Sequence, residues 1–139
     1  EYSHIRLALE SLAIELACKK KNLEPGVAEL RRINGELQLA LDRMDSLASV
    51  KKDIEFHQTL VGLSGSSRLI QTMNQLPLTN FFTLMGRQNL IVEHKDSVVR
   101  MHEEIIMEIE NKNARKVKAL LKRNTLNVYY EAMKAKFEQ

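Results

Sequence analysis

The chain has 139 residues, 44% of them apolar and 28% charged, with a formal net charge of +3. That length suits one domain with a real core, and the charge is too small to argue for nucleic-acid binding by this chain alone. Few Gly and Pro and no Trp favour helices, a single cysteine (Cys18) excludes an internal disulfide framework and fits a reducing, cytoplasmic compartment, and no apolar run approaches the roughly 20 residues that span a bilayer.

In chain order, the first predicted helix runs from about Tyr2 to Lys20, with Ile5, Leu7, Leu9, Leu12, Ala13, Leu16 and Ala17 as its apolar face. It starts abruptly, without Met and already in helical pattern, so the expectation is a piece of a longer protein. "NLEPG" at 22–26 breaks the chain, and Pro25 suits the first turn of a second helix, where its missing N–H costs nothing. That helix carries Leu30, Ile33, Leu37, Leu39, Leu41 and Met44 and is expected to stop near Val50. A third covers about Lys51 to Leu63 and ends at the breaker-rich "SGSS". A fourth begins near Ser67, is kinked or ended by Pro77, and continues helically through "LTNFFTLMG" to Gly86. A fifth runs from about His94 to Glu110, and "NKN" at 111–113 separates it from a sixth, Ala114 to about Phe137. With no strand alternation or hairpin signal, the expected fold is all-α, an antiparallel bundle of about six helices with a central ligand or metal cavity.

Polar residues fall on the predicted core stripes. Val98, His102, Ile105, Ile106 and Ile109 follow the i, i+4, i+7, i+8, i+11 spacing of a buried helix face, with His102 inside it. Val117, Leu120, Leu121, Asn124 and Val128 repeat the pattern, with Asn124 inside it. On the third helix His57 lies with Leu60 and Val61, and Asp53 lies one turn earlier. Three helices thus each point a ligand-capable group inward, and an unpaired buried polar group is costly. A metal ion or a polar ligand would partner all of them at once, since zinc takes imidazole nitrogens and carboxylate oxygens. The alternatives at this point are individually satisfied core histidines, and an Asp53 that merely caps the third helix. His4 and His94 lie at helix starts and are left out. No Gly-rich phosphate loop or nucleophile elbow is present, so the chain is not expected to be an enzyme. Glu103 and Glu104 read as solvated.

Three blocks carry a family resemblance. "IRLALESLAIELA" at 5–17, "DIEFHQTLVGLSGSSRLI" at 53–70 and "MHEEIIMEIENKNARKVKALLKRNTL" at 101–126 resemble, in order, the motifs of the FCD domain. That is the all-helical effector-binding domain of the FadR subfamily of GntR-type transcription regulators. The resemblance implies a divalent metal (zinc, with nickel or manganese as options) on Asp53, His57 and His102. A fourth ligand falls on Asn124, where the family pattern has His. An amide oxygen is a poor zinc ligand, so Asn124 is expected either to complete the shell weakly or to hold the effector. Ser66 and Met101 also depart from the pattern, which has Asn and Glu there. Arg6 matches an Arg near the family's pocket and could pair bidentately with an effector carboxylate. An intrahelical pair with Glu10 at i+4 is the competing reading. The resemblance further implies a small-molecule effector, a homodimer, and DNA contact only through an N-terminal winged helix-turn-helix that this chain lacks. Residues 1–139 are then a single effector-binding and dimerisation domain. A helical-bundle metalloenzyme and a metal-free structural bundle are the competing functions.

Overall fold

A computed structural model of the chain describes residues 2–76 and 95–124. Six helices lie among them: α1 (Tyr2–Ala17), α2 (Glu24–Asp42), α3 (Ser46–Gly62), α4 (Ser67–Gln75), α5 (Lys95–Glu110) and α6, described over residues 114–124. No strand occurs among the described residues, and no described helix is long and apolar enough to cross a membrane. The fold is all-α, as the periodicity requires. The expected continuation of α4 through Pro77 to Gly86, and of α6 to Phe137, lies outside the described residues.

The break between α2 and α3 falls at 43–45 rather than at Val50, and the backbone shows why. Met44 takes the left-handed conformation at φ 58°. The amide N–H of Met44 donates to the Leu41 carbonyl at 3.0 Å, and that of Asp45 donates to the Ala40 carbonyl at 3.0 Å. This pairing closes a helix C-terminus in the Schellman manner. Asp45 then starts α3 at once, its side chain accepting from the Ala48 amide at 3.0 Å. Asp45 is therefore the cap of α3, and Asp53 lies in the interior of that helix and caps nothing. The α5–α6 turn uses the same device. Lys112 sits at φ 53°, and the Asn113 amide donates to the Glu108 carbonyl at 3.0 Å. The Lys112 ammonium meanwhile donates to the Lys20 and Lys21 carbonyls, tying this turn to the end of α1.

The main core joins five helices: Ile14 and Ala17 from α1, Leu30 and Ile33 from α2, Phe56 and Leu60 from α3, Ile105, Ile106 and Ile109 from α5, and Val117 and Leu121 from α6. Helix α2 packs chiefly on α3 and next on α5, and α3 and α5 meet through side chains such as Phe56 and His102. A smaller cluster of Ala13, Val61 and Met73 seats α4. The buried face of α1 differs from the expected one. Ile5, Leu12 and Leu16 are exposed, whereas Arg6, Glu10, Ala13, Ile14 and Ala17 are buried. These five keep the i, i+4, i+7, i+8, i+11 spacing, so the stripe is regular but begins with two charges. A search for apolar residues alone cannot find it.

Candidate metal centre

Asp53 and His57 come from adjacent turns of α3, and His102 comes from the facing stretch of α5. All three are buried, and one ligand atom from each lies within 4.8 Å of the others. Asp53 Oδ1 is 3.1 Å from His102 Nε2 and 3.6 Å from His57 Nε2. The two imidazoles stand edge to face, with centroids 5.5 Å apart and an interplanar angle of 78°. Phe56 stacks flat on His102, centroids 3.8 Å apart and planes within 1°, fixing that ring between α3 and α5.

The Nε2 atoms of His57 and His102 are buried, and neither makes an aligned hydrogen bond. Both lie near Asp53 Oδ1, but out of line for a hydrogen bond. Buried polar atoms without an aligned hydrogen bond are costly, and one cation shared by Asp53 and the two Nε2 atoms would satisfy them together. Two ligands bonded at about 2.1 Å to one tetrahedral ion lie roughly 3.4 Å apart, close to the separations seen. The donor set of one carboxylate and two imidazoles suits zinc and its neighbours. Asp53, His57 and His102 therefore fit a divalent metal ion.

Each imidazole's other nitrogen is occupied. His57 Nδ1 contacts Glu10 Oε1 on α1, and His102 Nδ1 lies 3.1 Å from Asn34 Oδ1 on α2. Glu10 and Asn34 are both buried, at 0% and 5% exposure. Neither was singled out by the sequence as part of the site. The signal that would have found Glu10 was a charged residue continuing the spacing of Ala13, Ile14 and Ala17.

Arg6 is also buried, with Nε 3.8 Å from Glu10 Oε2 one turn along α1. The i+4 pair is thus present, and it places the Arg6 charge beside the His57–Glu10 contact. Asn124, on α6, is 4% exposed, and its Oδ1 has no hydrogen-bond partner. It continues the face of Val117, Leu120 and Leu121, which pack in the core with Phe56 and Ile105.

Electrostatics set the resting protonation of the metal-free centre. Burial disfavours imidazolium at His57 and Arg6 adds to that. Glu10 and Asp53 outweigh both, so the His57 pKa is pushed up to about 9. At His102 burial prevails over Asp53, and the pKa is lowered. Burial also pushes the Asp53 carboxyl up, but His102 and His57 more than reverse this and hold it well below the ordinary carboxylate range.

The family model for the FCD domain matches residues 1–125. Among solved structures, E. coli McbR/YncC has the same fold, with a TM-score of 0.66 at 17% identity, over 94% of this chain and 67% of that one. No curated protein matches the chain in sequence. With nine-tenths of its length matched by the family model, and with that fold, the chain belongs to the FCD domain family.

Proposed function

We propose that this chain is the effector-binding domain of a GntR/FadR-type transcription regulator, a single domain over residues 1–139. It binds a small carboxylate metabolite beside a divalent metal ion held by Asp53, His57 and His102. The observation that carries this reading is the convergence of one carboxylate and two orphaned imidazole nitrogens from α3 and α5 on a single buried point. Membership of the FCD family supports the regulatory setting. Zinc is the favoured ion, with nickel and manganese compatible with the same donors.

When bound, the ion supplies a positive charge at which an effector carboxylate docks. The chain's own residues do the rest. Asp53 offsets part of the ion's charge. His57 and His102 supply neutral nitrogen donors, and the core around Phe56 excludes water. Asn124 offers an amide oxygen where a fourth strong ligand would otherwise close the shell. We assign Asn124 and Arg6 to the effector, Arg6 supplying a second charge for its carboxylate. The chain works as a homodimer, and DNA is contacted in the cytoplasm through a winged helix-turn-helix joined upstream. Effector occupancy shifts the placement of those DNA-binding domains only insofar as it binds one arrangement better than the other.

The test is a panel of small carboxylic acids screened by thermal melting, with zinc present and after chelation. At least one acid should raise the melting temperature only with metal bound, and Asn124→Ala or Arg6→Ala should shrink that rise while zinc stays in place. No response from any acid on the metal-loaded protein, or an equal response after chelation, would contradict the reading.

A further inference from the structure

The hydrogen bonds behind the candidate metal centre fix the tautomer of both imidazoles. Asn34 Nδ2 donates to the Val99 carbonyl at 3.3 Å. That turns the amide so that Oδ1, which can only accept, faces His102 Nδ1 at 3.1 Å. His102 Nδ1 must then carry the proton, and the lone pair falls on Nε2, the atom beside Asp53. The same parity holds at His57. A Glu10 carboxylate oxygen can only accept, so Nδ1 keeps its proton and Nε2, toward Asp53, is the nitrogen that gives one up when the ring becomes neutral to bind metal. Both Nε2 atoms are buried without a hydrogen bond. Two polar side chains from two different helices, α1 and α2, thus leave the same kind of nitrogen bare on two rings from α3 and α5. Satisfying the rings separately in the core would need no such agreement.

We propose that Glu10 and Asn34 are positioning residues that present the Nε2 atoms of His57 and His102 to one metal ion. The proposal rests on the metal reading given above and deepens it. The two residues do unequal work. Asn34 is neutral: it orients His102 and clasps the α5 turn between Val99 and His102. Glu10 brings a charge as well as an acceptor, so it both orients His57 and makes that ring the stronger donor. The consequence is an asymmetric centre. His57 is the ring whose affinity for metal depends on charge behind it, and His102 is the ring whose affinity depends on geometry. Glu10, itself on α1, ties the centre to that helix, and its second oxygen lies 3.8 Å from Arg6 Nε one turn away. Displacement of α1 would therefore be felt at His57.

The test has two readouts, zinc affinity by chelator competition and imidazole ¹⁵N NMR of the zinc-loaded protein. Glu10→Ala and Asn34→Ala should each weaken zinc binding about 10–100-fold. Glu10→Gln keeps an acceptor but not the charge and should fall between Glu10→Ala and the unaltered chain. Asn34→Asp keeps the acceptor toward His102 and should bind zinc more tightly than Asn34→Ala. In the NMR spectrum of the unaltered protein both rings should carry a proton on Nδ1 and metal on Nε2, a signature that needs no variant to fold. A ring ligated through Nδ1 overturns the proposal, as does zinc affinity unchanged from the unaltered chain in both Glu10→Gln and Asn34→Ala. Both outcomes leave the metal reading standing. Failure of the unaltered protein to bind zinc, nickel or manganese would overturn the metal reading, and this one with it.

Discussion

His57 is the side chain whose chemistry changes most when a metal binds. In the metal-free protein its pKa is pushed up to about 9, against 6.5 ordinarily, because Glu10 and Asp53 together outweigh burial and Arg6. A group whose folded pKa is raised adds stability that is complete below its unfolded pKa and is lost as pH climbs through the folded value. The metal-free protein should therefore lose stability between about pH 6.5 and pH 9, visible as a falling melting temperature. Zinc affinity should rise over the same window, because the ion must displace the His57 proton. A flat metal-free profile there would contradict the assigned Glu10–His57 contact. Asn124 is the residue at which this chain departs from the family pattern. Its buried, unpartnered Oδ1 is a weak donor, so Asn124→His should tighten zinc on the order of tenfold or more, imidazole nitrogen being the better ligand. Titration with a competing chelator checks this, and weaker binding by the variant would show that α6 does not face the centre. At this scale the sequence was informative where a polar residue interrupted an apolar stripe, as at His102 and Asn124. Glu10 and Asn34 also continue buried stripes, but a stripe does not say which residue across the core its polar member meets.

Helix ends show the same contrast between what local chemistry writes into a sequence and what it leaves out. Pro25, "SGSS" and "NKN" marked their breaks correctly. The α2–α3 break was misplaced because its left-handed residue is Met44, not Gly, and an apolar residue at the right spacing reads as more helix. Holding a residue with a Cβ in that conformation costs roughly 1 kcal/mol, and Met44 is 67% exposed, so its side chain contributes little packing in return. Met44→Gly should stabilise the protein by about 1 kcal/mol in denaturant unfolding. A loss of stability would mean that the Schellman closure at Ala40–Asp45 is not what ends α2. The α1 face was misjudged for a different reason. Arg6 and Glu10 occupy core positions, where Glu10 meets His57, and Ile5, Leu12 and Leu16, which a periodicity search selects, are exposed.

For the whole molecule, that inversion leaves Ile5, Leu12 and Leu16 exposed on α1, with Leu39, Leu47 and Met107 exposed elsewhere. So much apolar surface on a chain of this size fits association. Sedimentation at tens of micromolar should show a homodimer, and monomer alone would contradict that expectation. The all-α architecture followed from the scarcity of Gly and Pro and from apolar residues recurring at the helical spacing with no strand alternation. The grouping of Asp53, His57 and His102 was legible in the stripes and the family resemblance; the contacts behind it, to Glu10 and Asn34, were not, because which helix faces which is decided by packing between distant segments. The central claim is that Asp53, His57 and His102 hold a divalent ion, and an ion that binds only the folded state stabilises it by mass action. The direct measurement is metal content together with a melting curve, before and after chelation, on the unaltered protein and on Asp53→Ala and His57→Ala. About one ion per chain is expected. Removing it should cost about 4 kcal/mol at a thousandfold excess over Kd, or roughly 10 °C. Neither variant should retain metal or respond to the chelator. A protein that purifies without metal, gains no stability from zinc, nickel or manganese, and melts the same with chelator present would contradict it.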